Sequence, residues 1–225
     1  MKKNGLTFIS VIPSDQLQSG VWNPYSYRYA QEGECSLSDF AEIEKVNGKK
    51  IDIKYFVFAP IEYKHIHKGD LLNFALEDKS DILKGKFLFV ETDSLLFGTM
   101  RAYLGNTCVT PFGDWIGKPG NITYAVNSEF VKIRPFDKCN YFWWAYVKSP
   151  FFLREMPTGS GGTRPRVSPE LIGNIRVNVP DEGKRSEIDK EIKLLAKQSW
   201  SNYMQSKKIF GNLRTLRQAQ GTEIL

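Results

Sequence analysis

Histidine is almost missing from this chain, with only His65 and His67 among 225 residues. A Ser/His/Asp or Cys/His centre would have to use one of them, and no GxSxG nucleophile motif occurs. On a strand, positions i and i+2 share a face, so the two histidines could hold a metal together, but no third ligand accompanies them. Cysteine is scarce as well. Cys35, Cys108 and Cys139 are odd in number, far apart and without a CxxC pair. That argues against a zinc ribbon or disulfide framework and for reduced thiols in a cytoplasmic setting. No apolar run approaches the roughly 20 residues needed to cross a bilayer, and the start MKKNGLTFIS has no apolar stretch behind its lysines to serve as a secretory signal. The glycine-rich stretch TGSGGTRP lacks the Lys-Ser/Thr ending of a phosphate-binding loop. The carboxylates are scattered, with no spacing that singles out an acid/base couple. These absences describe a binder rather than a catalyst, with neither metal nor cofactor called for.

What the chain does have is aromatic weight and unevenly placed positive charge. Aromatics make up 13% of residues, 15 Phe, 10 Tyr and 5 Trp, enough for a sizeable core with some left for surface work. Net charge is +6. Residues 1–182 carry 22 Lys/Arg against 21 Asp/Glu, a net of +1, whereas residues 183–218 carry nine against three, also a net of +6; Glu223 removes the remaining unit. A strip of this kind suits an anionic partner, nucleic acid first and an acidic protein surface second.

The pattern along the chain predicts an α+β fold. A short helix is expected over 36–44, capped by Ser36 or Ser38. Short β-rich runs follow at 51–59, 69–74, 86–91, 94–97, 108–111, 122–125 and 129–134, separated by Gly, Asn and Pro turns. An aromatic helix over 140–147 is expected to be capped by Asn140, with a restart at Pro150. Ser168 and Pro169 carry the cap and first-turn signals of another short helix, and 175–179 reads as a closing strand. This β-rich domain with short helices spans 1–180. Over 181–225 the period changes to that of one long helix, with Ile188, Ile192, Leu195, Tyr203, Phe210 and Leu213 on a stripe. Such a rod, roughly 54 Å over the 36 residues 183–218, is too long to lie on its own domain throughout. Its stripe is therefore expected to pair with a second helix in a coiled coil, giving a homodimer, and removal of 183–225 is expected to leave a soluble monomer.

The ordered pieces of 84–180 carry a resemblance. Asp93-Ser94-Leu95-Leu96-Phe97 is followed by Arg101 and Tyr103-Leu104-Gly105. Then come a strand from Phe130 to Pro135, the aromatic segment from Tyr141 to Phe152, a loop from Gly159 to Arg166 and a strand closed by Pro180. This order, with the long helix that follows it, resembles the target recognition domain and conserved helix of type I restriction-modification specificity subunits, over about 130 residues. The resemblance implies a non-catalytic reader of double-stranded DNA that guides methyltransferase subunits, and a restriction subunit with them. The chain looks like half of such a subunit, with one recognition domain and one helix where the family has two of each. It departs from the family in placing Lys184-Arg185 where Glu-Gln usually opens the helix.

Within that reading, arginine is the best base reader, because its planar fork matches the guanine edge. Arg101, Arg164 and Arg166 are the candidates, with Lys86 and Lys118 on turns as phosphate contacts. Trp143, Trp144 and Tyr146 are expected in the core. Two rival expectations stand beside this one: a free-standing single-strand nucleic-acid-binding module using the many aromatics, and a small metalloenzyme built on His65 and His67.

Overall fold

The computed structural model describes residues 35–46, 57–66, 88–118, 120, 122–157, 159–160 and 162–221, with side chains of the final helix described through residue 212. The fold is mixed α+β and is organised around a four-stranded antiparallel sheet in the order β2-β8-β5-β6. Its strands are β2 (Ala41–Lys45), β8 (Phe130–Pro135), β5 (Leu95–Gly98) and β6 (Thr107–Val109). A three-stranded sheet, in the order β3-β7-β4, combines β3 (Val57–Ile61), β7 (Thr123–Val126) and β4 (Leu88–Glu91). Here β3 runs parallel to β7 and β4 antiparallel to it. A third pairing joins β1 (Cys35–Ser36) to β9 (Arg176–Val177).

Side chains alternate across the central sheet as a two-residue period requires. Leu95, Phe97, Val109, Val131 and Ile133 enter one core with helices α1 (Asn140–Lys148), α2 (Pro150–Arg154) and α3 (Pro169–Gly173). Leu96, Cys108 and Phe130 enter a second core against Val90, Tyr124 and Val126 of the smaller sheet. Apolar in both directions, the central strands read as continuous hydrophobic runs. Trp143, Trp144 and Tyr146 belong to the first core as expected, and Trp143 is fully buried.

The strand expectations hold at 88–91, 95–98, 107–109, 123–126 and 130–135 to within a residue or two, while 69–74 lies outside the described residues. Two local expectations need correction. Residues 36–44 form not a helix but a single 3-10 turn, Leu37–Asp39, running into β2. The Asp39 carboxylate accepts from Ser36 N at 2.7 Å and Ser36 Oγ at 2.9 Å, closing the turn, and pairing with β8 then captures the chain as strand. Asn140 is not the cap of α1 but its first residue, the cap being Cys139. The free N–H groups of Tyr141 and Phe142 donate instead to Asp189 Oδ1, at 2.7 and 3.1 Å, a carboxylate placed where the helix dipole favours it. Ser168, by contrast, caps α3 as its local sequence predicts, accepting from Leu171 N, with Pro169 in the first turn.

Asp189 belongs to α4 (Glu182–Gly221), a helix of 40 residues, about 60 Å long at 1.5 Å per residue. No helix among the described residues is long and apolar enough to cross a membrane. Contrary to the expectation that its stripe faces a second helix, α4 lies along its own domain as far as Met204. Ile188, Ile192 and Ala196 pack on the first core, and Trp200, Tyr203 and Met204 on the second. The physical reason is that one helix face at a 3.6-residue period spans both cores in sequence, with Trp200 only 2% exposed. Beyond Met204, residues 205–212 are exposed throughout.

Candidate nucleic-acid interface

Three of the five DNA-contact candidates meet at one edge of the domain. The chain leaves β5 through Met100 and enters a 3-10 turn, Ala102–Leu104, whose preceding residue Arg101 adopts a left-handed backbone with φ of 48°. A non-glycine residue there costs about 1–3 kcal/mol and persists only when its surroundings hold it. The holding comes from the loop 159–166. Arg101 N donates to Pro165 O at 2.8 Å, and its guanidinium donates to Thr163 O at 3.2 Å.

The loop is itself cinched. Ser160 and Arg166 exchange backbone hydrogen bonds of 2.9 and 2.8 Å, and Val167 N donates to Thr99 O. Gly159 is required for this closure: a Cβ there would lie 2.4 Å from the Arg166 carbonyl. Arg164 rides at the exposed tip, and Pro165 behind it disfavours a helical continuation. The described residues of the motif thus form a strapped turn, with Arg101 and Arg166 in its backbone hydrogen bonds and Arg164 exposed.

The three arginines are chemically unlike. Arg166 is neutralised by Glu129, Nη2 to Oε1 at 2.7 Å. Arg101 spends a donor on a carbonyl and keeps its charge, and no carboxylate of the described residues pairs with Arg164. Behind them Tyr63 acts as a strut. Its hydroxyl donates to Glu129 O and accepts from Met100 N, while its ring stacks on Phe130. Burial pushes the Tyr63 hydroxyl up to about 12, so it stays protonated and able to donate. Thr99 Oγ1 also donates to Glu129 O. Neither Glu129 nor Tyr63 had a sequence signal, because their partners lie 37 and 66 residues away.

The remaining candidates lie elsewhere. Lys118 is exposed just past the 3-10 turn Gly113–Ile116, which packs on α4. Lys86 and His67 lie outside the described residues. His65 is buried in a 3-10 turn, Tyr63–His65, where Nδ1 accepts from Glu62 N at 3.1 Å. The strand face that a shared metal would need is therefore not formed at His65, because the chain turns there. Among the described residues no group of three or more His, Cys, Asp or Glu side chains is placed to hold a metal.

Of the six residues expected to dimerise, Ile188, Ile192 and Tyr203 are committed to their own protomer. Leu195 and Phe210 are exposed, and the Leu213 side chain is outside those described. The basic strip is likewise partly consumed. Arg185 is buried in an ion pair with Asp137, Lys193 pairs with Asp93 at 3.5 Å, and Lys184 with Glu187. Lys190, Lys197 and Lys208 remain exposed. Compared with models of known protein families and with curated proteins, the sequence matches none of them.

Proposed function

We propose that this chain is the DNA-reading half of a type I restriction-modification specificity subunit, binding one half of a duplex target without catalysis of its own. Methyltransferase subunits, and a restriction subunit with them, would be positioned by it. The observation that carries the reading is the strapping of residues 159–160 and 162–166, whose hydrogen bonds tie Arg101 to Thr163 and Pro165 on either side of exposed Arg164. A reader needs cationic, planar donors held in fixed register, because hydrogen bonds to base edges discriminate only when the donors are pre-placed. Anion-seeking groups on a tethered tip of this kind suit a groove better than a flat protein surface.

In this reading the arginines divide the work. Arg164 is the base reader, Arg101 contributes charge beside it, and Arg166, paired with Glu129, shapes the loop. The second copy joins through the part of α4 past Met204, where Ile209 and Phe210 are exposed, so that two recognition domains face a palindromic target.

The test is binding selection on random duplex DNA, with and without a methyltransferase partner. One duplex sequence should be enriched over others and over single strands, with affinity falling as salt rises. The double substitution Arg164→Ala/Arg166→Ala should weaken that binding by about tenfold or more, each good base contact being worth roughly 1–3 kcal/mol, while the thermal transition persists. Preference for unpaired DNA, or indifference to sequence, would overturn the reading.

A further inference from the structure

Two large rings are exposed on adjoining elements, one of them beside Arg101. Tyr103 is 56% exposed on the 3-10 turn that Arg101 opens, and Phe151 is 70% exposed in the first turn of α2. These elements abut: a Cβ at Gly105 would stand 2.8 Å from Leu153 Cδ1, so the backbone of the turn rests directly on α2. Both rings are carried on rigid supports. The Tyr103 turn is bounded by left-handed residues at Arg101 and Gly105, and α2 is fixed at its start by Ser149 Oγ, which accepts from Phe152 N. Arg154 lies 5.2 Å from the Phe151 ring centroid, and no carboxylate of the described residues pairs with it.

A single exposed ring is ordinary on a protein surface, but each of these has a cation beside it, Arg101 two residues before Tyr103 and Arg154 at the Phe151 ring. A partner for this surface must offer flat apolar faces and negative charge together, and nucleic acid has both in its bases and phosphates. We infer that Tyr103 and Phe151 are base contacts on the same face as Arg164, pressing against the base stack of the bound duplex and loosening one of its steps. Side chains that wedge against or stack on bases act in this way in other settings. The inference rests on the duplex-reading proposal and adds to it an apolar, salt-independent part of recognition.

The experiment uses the full chain and the duplex obtained by selection, with 2-aminopurine placed in turn along it. Binding of the wild-type chain should raise fluorescence at one step. Tyr103→Ala and Phe151→Ala should each abolish or shrink that rise and weaken binding by about tenfold, while the slope of log affinity against log salt stays unchanged. Arg164→Ala serves as the contrast, because loss of a base reader should weaken binding and relax the sequence preference without removing the fluorescence rise. Both ring positions are exposed, and an unaltered melting transition will show that the variants fold. If the ring variants bind as tightly as wild type while Arg164→Ala is impaired, the rings play no part and this inference falls alone. If the wild-type chain selects no duplex, both readings fall.

Discussion

At the residue scale, the most buried ion pair among the described residues joins Asp137 to Arg185. Asp137 accepts from Arg185 Nε at 2.7 Å, from Cys139 N at 3.0 Å and from Trp143 Nε1 at 3.2 Å. Arg185 also donates to Pro180 O and lies 5.2 Å from the Phe40 ring centroid. With side chains only 9% and 6% exposed, the pair is screened little by solvent. Removing one partner leaves the other buried and charged, which costs about 3–5 kcal/mol. Asp137→Ala should therefore lower the urea midpoint by that equivalent, and a change below about 1 kcal/mol would show the pair to be solvated.

Asp93 behaves oppositely. It has a left-handed backbone with φ of 60°, and its Oδ1 is buried without a hydrogen-bond partner. Burial raises its carboxyl above the ordinary 3.8, outweighing Lys193 at 3.5 Å, while Asp189 nearby pushes the same way. A carboxyl with a raised folded pKa binds its proton more tightly in the native state. Its contribution therefore favours folding at low pH and is lost as pH climbs through the raised value. Asparagine also tolerates the left-handed conformation. Asp93→Asn should thus match wild type near pH 3 and exceed it in melting temperature at pH 7. Equal pH profiles of the two proteins would contradict this assignment.

At the element scale, α4 is the instructive case. Its helical period was legible from Ile188, Ile192 and Tyr203, and the helix is present. What those side chains touch was not legible, because an apolar stripe has the same spacing whether it faces a second helix or its own domain. Trp200 and Ala196 settle the matter by filling the two cores. Removing all of 183–225 would expose those cores, so the expected soluble monomer should instead unfold or aggregate. Ending the chain after Met204 should keep the melting temperature within a few degrees and convert a dimer to a monomer in sedimentation. A dimer that survived this shorter truncation would rule out pairing through the distal helix. Trp200→Ala, within the docked part, should cost about 3–5 kcal/mol. Caps divide in the same way. Ser168 and Leu171 are three residues apart, and such a cap can be read in sequence, whereas Asp189 caps α1 across 48 residues and cannot.

At the scale of the whole molecule, the net of +6 on residues 183–218 overstates what that helix presents, since Arg185 and Lys193 pair with Asp137 and Asp93 outside it. If the docked part of α4 follows DNA phosphates, replacing Lys190 and Lys197 with Gln should reduce the salt slope by roughly 0.9 for each phosphate no longer neutralised. An unchanged slope would assign that face to an acidic protein surface. By itself the sequence determined the strands at 88–91, 95–98, 107–109, 123–126 and 130–135, the two-residue alternation of Leu95–Phe97, the α3 cap and the glycine-rich loop, all of which depend on neighbours a few residues apart. Only the tertiary structure decided that Glu129 neutralises Arg166, that Asp189 caps α1 and that α4 lies on its own domain. Those outcomes depend on which distant groups the packed cores bring within hydrogen-bonding reach, about 3 Å, and no local pattern encodes that distance.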